Sequence, residues 1–382
     1  MKIAMITAYG PPKLGGKELW IPQMAVELEN LGHEVRIFCS NVDELGAHFK
    51  DAWSEINGIK THKSKTLFDL ANLSTPLTIP NLRELLKFKP DIVHIHEPNL
   101  IHTTLATLFS KVFLKSKIVM HCHSDPFDWH GQGVLFKIAI QGYALIHKLK
   151  LSLADWILVV SEEYKEYARF FKPHFQKLSV HLMSVSPVFK PIVDVEKKAS
   201  QVLYIGRIDK RKGIDTLIKA MDGLLNTSLL IVGDGDEDLT KRLKGMSTDL
   251  MKNNPSVDIR FIGKKTQDEL NYLLNESTVL VLPTIDKTAE TFGAVLIEAW
   301  ATKTPVISAN NPAPMGLIQK SGGGLVFERG NSGQLKVELK KILENPAYAS
   351  ELGVSGYEFV REGITYQSNA RKLDELYSRL ND

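Results

Sequence analysis

Two glutamates stand eight positions apart in a segment that otherwise reads as buried structure, residues 289–308. Carboxylates are costly to bury, so both glutamates call for a functional explanation. A carboxylate accepts hydrogen bonds from two neighbouring hydroxyls, which is the geometry of a sugar diol. We interpret Glu290 and Glu298 as holding a hexose and a ribose. In the alternative interpretation, Glu290 interacts favourably with the dipole of the following helix, and Glu298 is an exposed residue of that helix.

A helix is predicted from residue 293 to residue 301, so that Glu290 precedes it and Glu298 lies inside it. Thr291 is its expected N-cap. The amides of Phe292, Gly293 and Ala294 would then be available to an anion, such as a diphosphate between the two sugars.

A basic segment, "YIGRIDKRKGID" (residues 204–215), carries two further candidates. Arg207 follows a predicted strand and Gly206, and Lys212 lies five residues on. A guanidinium and an ammonium beside a loop suit a diphosphate whose charge must be neutralised as it leaves. The alternative is a solvated basic turn. Gly233, in "IVGDGDE", marks another glycine-rich strand end and is a weak signal by itself.

Paired glycines, Gly15 and Gly16, lie between the first predicted strand and the first predicted helix. They let backbone amides approach an anion, or they form a flexible turn. The dinucleotide fingerprint G-x-G-x-x-G is absent, so NAD is not an expected cofactor.

Four histidines end two predicted strands, with the two of each strand sharing a face. They could converge on a metal such as zinc, act as hydrogen-bonded structural groups, or line a polar cleft. At least one is expected to line a ligand cleft. The four are His94, His96, His121 and His123.

Short β-branched strands alternate with amphipathic helices in both halves of the chain, which predicts parallel sheets covered by helices. Around residues 182–200 the alternation lapses into a proline- and serine-containing linker. We predict an α/β protein of two Rossmann-like, doubly wound domains facing across a cleft. In such sheets ligands bind beyond the carboxyl ends of the strands.

Composition narrows the function classes. The chain has 382 residues, 43% apolar and 24% charged, enough for two domains. A formal charge of +3 gives no argument for nucleic acid. The two cysteines are far apart in the sequence, which favours a reducing compartment. The sequence has no apolar run long enough to predict a membrane span. We expect a cytoplasmic protein, peripheral on the inner membrane face if it contacts a membrane.

Taken together, these motifs resemble the retaining glycosyltransferases of family 4, which have the GT-B fold. The resemblance rests on "GGKE", "DIVHIHEP", "HSDPF", "YIGRIDKRKGID", "IVGDGDE" and the E-x7-E pair, whose order spans nearly the whole chain. It implies an N-terminal acceptor domain (residues 1–187), a C-terminal donor domain (residues 188–359) and a last helix (residues 360–382) that packs on the N-terminal domain.

The resemblance also assigns roles, and it implies that no metal or other cofactor is needed. Arg207 and Lys212 match the diphosphate-binding pair. Glu290 matches the residue that contacts the donor sugar, and Glu298 the one that binds ribose. The remaining matches are Phe292 and Gly293 in the donor loop, Gly16 near the diphosphate, His123 near the reacting sugar and Lys264 near the base.

The expected reaction is hexose transfer from a nucleotide sugar to a glycan or lipid-linked acceptor in cell-envelope synthesis, with retention. The alternatives are an epimerase or hydrolase of the same fold, a pyridoxal-phosphate phosphorylase, and a non-catalytic nucleotide-sugar-binding module. Two apolar, lysine-containing stretches near residues 100–117 and 133–156 could lie on an anionic membrane surface. Ordinary helices packed on a sheet have a similar pattern.

Overall fold

The computed structural model describes residues 1–382 except 11–15, 44–45, 49, 71–74, 125–133 and 288. The chain divides into two compact units, Met1–Ser184 with Tyr366–Asp382, and Val185–Thr365. The sequence-based limits are residues 187 and 359, whereas the units change at Ser184 and Thr365.

A mostly parallel sheet forms the centre of the first unit. The strands in the described part of this unit are β1 (Lys2–Ile6), β2 (Glu34–Ser40), β3 (Val42–Asp43), β4 (Gly46–Ala47), β5 (Ala52–Ile56), β6 (Ile59–Ser64), β7 (Thr66–Leu70), β8 (Thr75–Thr78), β9 (Ile92–Glu97), β10 (Lys117–Cys122), β11 (Trp156–Val159) and β12 (Leu178–Val180). The sheet has the order β12-β11-β10-β9-β1-β2-β6-β5, and β5 pairs antiparallel with β6 at its edge. The strand order reverses at β1, between β2 and β9, and a ligand of such a sheet is expected beyond these carboxyl ends.

Helices cover this sheet. They are α1 (Gly16–Asn30), α2 (Leu82–Phe88), α3 (His102–Phe109), α4 (Val134–Leu153) and α5 (Glu162–Tyr167). Local capping sets some of their limits: the Asn81 side chain accepts from the Glu84 amide at the start of α2, and the Ser161 hydroxyl does the same for α5. A π-helical turn, Ser110–Leu114, follows α3.

The second unit has a six-stranded, fully parallel sheet. Its strands are β13 (Gln201–Ile205), β14 (Thr227–Val232), β15 (Val257–Gly263), β16 (Val279–Leu282), β17 (Val306–Ala309) and β18 (Gly324–Phe327), in the order β15-β14-β13-β16-β17-β18. Its helices are α6 (Ile214–Ala220), α7 (Glu237–Asn253), α8 (Gln267–Glu276), α9 (Ala294–Ala301), α10 (Pro312–Ser321), α11 (Ser332–Leu343) and α12 (Pro346–Gly363). The order reverses between β13 and β16, so the carboxyl ends of these two strands flank the expected ligand position.

The last helix, α13 (Tyr366–Asn381), belongs to the first unit. The Asn369 amide donates to the Leu182 carbonyl and to the Ser184 hydroxyl, both at 2.8 Å. The prediction of one helix over 360–382 is wrong in its start, because residues 360–363 form the end of α12. That helix ends at Gly363, a residue with low helix propensity.

Two further predictions concern the membrane and the cysteines. Among the described residues, no helix combines the length and apolar character needed to cross a membrane. Cys39 and Cys122 are both buried and both unbridged.

Candidate active site

The loop after β13 carries the two cations predicted from the sequence. The buried Tyr204 donates its hydroxyl hydrogen to the Arg207 carbonyl at 2.8 Å, which ties the loop to the end of the strand. Asp209 accepts from the Arg211 amide at 2.8 Å and from its guanidinium at 2.9 Å. Burial raises the pKa of Asp209, but these hydrogen bonds and the nearby charge outweigh it and lower the pKa to about 2. Asp209 therefore stays ionised and fixes the turn that presents Lys212.

A glycine lets this loop approach the end of β16. Gly213 has a φ of 63°, in the left-handed region. A Cβ at this position would lie 2.2 Å from the Pro283 carbonyl oxygen. The close approach brings Lys212 next to the residues that follow β16.

Lys212 and Glu290 form an ion pair in which Nζ contacts the carboxylate Oε1. The Thr284 hydroxyl donates to the same oxygen at 3.0 Å. The two charged side chains are only 14% and 13% exposed, so water screens the pair weakly. Lys212 was predicted to bind the diphosphate of a donor, and Glu290 its sugar. In the structure the two side chains are in direct contact, on the loops after β13 and β16, where the strand order reverses.

Arg207 provides a second cation on the same loop. Its side chain is exposed, and its guanidinium has no hydrogen-bond or ion-pair partner among the described residues. An unpaired guanidinium presents a planar set of donors to a phosphate without breaking an existing ion pair.

The prediction that Thr291 caps the following helix is wrong. Helix α9 begins at Ala294, and its N-cap is Gly293, which has φ 90° and makes no side-chain cap. A glycine adopts this left-handed conformation without the steric cost that threonine would bear. Phe292 is 4% exposed and packs as a core residue before the helix. The amides of Ala294 and of the next residue have no helical acceptor, because they lie in the first turn.

Glu298 lies inside α9 and is only partly exposed. Its carboxylate has no hydrogen-bond or ion-pair partner within the described part of the chain. Burial raises its pKa to about 7. Hydroxyl groups of a bound ligand would donate hydrogen bonds to this buried carboxyl group, and such hydrogen bonds favour its ionised form.

Two glycines bring the ends of β13 and β14 together. A Cβ at Gly233, whose φ is 136°, would lie 1.9 Å from the Gly206 carbonyl oxygen. Beside them lies a cavity of about 700 Å³, whose lining includes Gly233, Lys241, Phe261 and Gly263. Lys264 is exposed and follows directly in sequence after this wall.

In the first unit, the predicted glycine site is described only in part. Gly16 is the first residue of α1, and a Cβ there would meet no atom within 4 Å. Among the described residues, nothing therefore occupies the side-chain position of Gly16, which is exposed. Gly15 lies outside the described residues.

The ring of His123 is held on two sides. Its Nδ1 lies 3.2 Å from the Met183 sulfur, which has no proton to donate, so Nδ1 carries the hydrogen. Its Nε2 lies 2.9 Å from Nδ1 of His96 and accepts a hydrogen bond from it. With both ring nitrogens engaged in the neutral tautomer, a positioning role fits His123 better than proton transfer.

His123 belongs to a cluster of five histidines in the first unit. Burial, and then repulsion from neighbouring cations, lowers the pKa of every member. The pKa falls to about 3 for His94 and His181, and well below its usual range for the other three. The cluster is therefore neutral at pH 7. Its remaining members are His96, His121 and His123.

The structure brings Lys212 and Glu290 into contact in the second unit and has Arg207 on the same loop as Lys212. Sequence reasoning missed Thr284 and Tyr204, which hold these residues in place. Thr284 could have been found, because it follows the buried strand "TVLVLP" at the edge where ligands bind. The hydrogen bond from the Tyr204 hydroxyl to the loop backbone has no signal in the sequence.

Two family models match the chain. The model for "Glycosyl transferases group 1" matches residues 187–359, and that for "Glycosyltransferase Family 4" matches residues 14–180. They leave few residues uncovered and confirm the resemblance inferred from the motifs. A curated relative, phosphatidyl-myo-inositol mannosyltransferase of Mycobacterium leprae, is 23% identical over 378 residues, covering 94% of this chain and 92% of the relative.

Solved structures share the fold. Sucrose-phosphate synthase from Thermosynechococcus elongatus matches with a TM-score of 0.77 and 22% identity, over 99% of this chain and 98% of that one. The Anabaena protein HepE in complex with UDP and glucose matches with a TM-score of 0.74 and 16% identity, over 99% and 100%. These likenesses confirm the predicted GT-B fold class.

Proposed function

Because the chain belongs to the group 1 glycosyltransferases, we propose that it moves a hexose from a nucleoside-diphosphate sugar to an acceptor hydroxyl. We further propose retention at the anomeric carbon and no metal at the diphosphate. The observation that carries the proposal is the Lys212–Glu290 pair beside the unpaired guanidinium of Arg207. Two cations and a carboxylate on the loops after β13 and β16 are the groups that a diphosphate and a sugar hydroxyl would need.

The two cations would stabilise the leaving diphosphate. Arg207 is available to a phosphate as it stands, whereas Lys212 is neutralised by Glu290 until a ligand binds. Hydroxyls of the donor sugar would share the Glu290 carboxylate and leave Lys212 hydrogens for the phosphate oxygens. The amides in the first turn of α9 would donate further hydrogen bonds to the charged diphosphate. Fixed cations and amides of this kind replace a metal ion in neutralising the diphosphate.

The rest of the donor would occupy the neighbouring features of the second unit. Glu298 has an unpaired carboxylate suited to the two hydroxyls of a ribose. The cavity beside Gly206 and Gly233 would hold the base, with Lys264 next in sequence to the lining residue Gly263. HepE was crystallised with UDP and glucose, which makes a uridine donor the first to test.

A front-face departure fits these residues. The bond from the anomeric carbon to the diphosphate oxygen breaks while the acceptor oxygen bonds to the same face and gives its proton to the departing phosphate. Two carboxylates lie near these cations in the described part of the chain, and both are engaged: Glu290 by Lys212 and Asp209 by Arg211. A double displacement would need a second, separately placed carboxyl group. His123 would orient the sugar or the acceptor.

The proposal is tested by incubating the protein with UDP-, GDP- and ADP-sugars and measuring nucleoside diphosphate release, with and without a membrane-lipid extract. Release from one donor that depends on the extract supports transfer. Release without any acceptor, giving free sugar or an epimer, supports the hydrolase or epimerase alternative. Donor binding without release supports a binding module. Absence of both binding and release contradicts the donor site.

Retention and metal independence need their own measurements. The anomeric configuration of the product, read by proton NMR, should match that of the donor. Turnover in excess EDTA should equal turnover in magnesium. A loss that magnesium restores would contradict the proposed role of Arg207 and Lys212 as replacements for a metal.

We also propose that the acceptor is lipid-linked, as in cell-envelope synthesis, and that the first unit docks on an anionic membrane. The support is an exposed apolar surface on α3, α4 and the turn after α3. Val112 is 68% exposed, Phe113 65% and Leu145 71%, and α3 packs against α4. Exposed Lys115 and Lys148 lie beside them. Apolar side chains with flanking lysines are typical of interfacial docking.

Liposome flotation tests this docking. The wild-type protein should float with vesicles containing anionic lipid, and V112D/F113D should not. Val193, which is 96% exposed in the second unit, offers a control, because V193D replaces an exposed apolar side chain with aspartate outside the proposed surface. Equal flotation of all three proteins, or flotation of none, would contradict the docking surface.

A further inference from the structure

We propose that the first unit binds a transition-metal ion through His94, His96 and His121. The site lies in a different unit from the donor residues and is independent of the proposed transfer reaction. A metal site is one of the alternatives that the histidine spacing leaves open.

The three histidines share one face of the sheet. His96 on β9 lies opposite His121 on β10 in the parallel register, and His94 precedes His96 by two residues. All three side chains are fully buried. One ring nitrogen from each lies within 4.8 Å of the other two. Strand pairing thus fixes three potential ligand atoms around one point.

These rings have nitrogens without partners. In the described part of the chain, Nε2 of His94, Nε2 of His96 and both ring nitrogens of His121 are buried and make no hydrogen bond. Each unpaired buried polar atom costs roughly 1–3 kcal/mol. Native proteins rarely leave several such atoms together without a ligand. A metal ion would satisfy three of the lone pairs at once.

The outer hydrogen bonds direct the Nε2 lone pairs inward. Because the Met183 sulfur sets the tautomer of His123, Nδ1 of His96 donates to Nε2 of His123, and Nε2 of His96 carries no hydrogen. Nδ1 of His94 lies 2.6 Å from the Tyr377 hydroxyl, and in the tautomer that donates to this oxygen Nε2 of His94 is unprotonated as well. Metal-binding histidines usually donate their second ring hydrogen to such an outer partner.

The geometry fits a first-row ion after a small adjustment. Zinc–nitrogen bonds of about 2.1 Å in a tetrahedron put ligand nitrogens about 3.4 Å apart. From the present limit of 4.8 Å, each nitrogen would move inward by about 0.8 Å at most. The ring centroid of His121 lies 5.5 Å from that of His94 and 5.7 Å from that of His96. Three imidazoles suit zinc, cobalt, nickel or copper rather than magnesium.

Metal binding would hold the carboxyl ends of β9 and β10 in a fixed position relative to each other. Trp20 packs edge-on against His96 and His121, at 5.8 and 5.4 Å, and closes the site on the helix side. An ion at Nε2 of His96 would lock that ring and, through its Nδ1, the ring of His123. The metal would therefore stabilise the first unit and hold His123 in position.

The test uses Co²⁺ as the probe with the full-length protein. The protein is stripped with EDTA, incubated with Co²⁺ and dialysed, and bound metal is measured by mass spectrometry. We expect about one Co²⁺ per chain, a visible d–d absorption and a higher Tm in the loaded protein. H121Q should lose the bound Co²⁺, the d–d absorption and the increase in Tm. H102Q is the matched control, since His102 is equally buried in the same unit but lies outside the cluster.

Two results would overturn the proposal: no Co²⁺ retained by the wild-type protein, or equal retention by the wild-type protein and H121Q. If H121Q fails to fold, X-ray absorption at the cobalt edge of the wild-type protein decides the question. Three imidazole ligands support the site, whereas one or none indicates surface binding and contradicts it.

Discussion

Replacing Lys212 with alanine separates the structural role of this lysine from its proposed catalytic role. The substitution removes the ammonium that contacts Oε1 of Glu290 and leaves the carboxylate with the Thr284 hydroxyl alone. Both charged side chains are mostly buried, so we expect a loss of about 1–3 kcal/mol in unfolding free energy. For a unit of this size the Tm should fall by about 2–12 °C.

Activity should fall much further than stability. If Lys212 stabilises the leaving diphosphate, its removal should lower kcat by about 10²- to 10³-fold, the cost typical of one preorganised donor. Arg207 would remain and account for the residual rate. The assay is nucleoside diphosphate release from the donor identified in the panel, with Tm recorded on the same preparations.

The double variant K212A/E290Q distinguishes the two effects. Glutamine carries no charge, so the double variant should recover at least half of the lost stability while its activity stays low. K265A is a control, because the Lys265–Glu269 pair lies on the surface of the same unit. Near-wild-type turnover in K212A would refute the catalytic role. A double variant no more stable than K212A would refute the assigned ion pair.

Three further predictions follow from the second unit. Because burial raises the pKa of Glu298 from 4.5 to about 7, the folded state binds this proton more tightly than the unfolded state, and stability should fall as pH rises from about 4.5 to 7. E298Q should therefore exceed the wild-type protein in urea stability at pH 8 and match it at pH 4.5; equal curves would contradict the raised pKa. G233A should lower both Tm and donor affinity, because its Cβ would lie 1.9 Å from the Gly206 carbonyl oxygen. G245A, in α7 with no atom within 4 Å of the new Cβ, should raise stability by about 0.5–1 kcal/mol in the same melts, and a loss there would show that the glycine argument fails.

Much of the fold could be predicted because its strands are short, β-branched and regularly alternated with amphipathic helices. Segments such as residues 201–205 and 279–282 are apolar on both faces, as strands of a covered parallel sheet must be. The hairpin of β5 and β6 was not predicted. It is an edge pair with few apolar positions, and its register depends on pairing with β2.

The chemistry of the site was only partly visible. The types and order of Arg207, Lys212, Glu290 and Glu298 follow from the sequence, since charged residues that follow buried strands, or interrupt an apolar segment, imply ligands. Their contacts do not. Lys212 and Glu290 are separated by 78 positions in the chain, and only the reversal of strand order between β13 and β16 brings their loops together.

The sequence by itself determined the residue types, the alternation of elements and the family. Tertiary structure decided which charges pair and which remain available. It placed Gly293 rather than Thr291 at the start of α9, because only the three-dimensional path of the loop requires a left-handed residue there. It also gathered five histidines from separate segments into one neutral cluster. Burial sets their pKa, and burial depends on the helices that pack over the sheet rather than on local sequence.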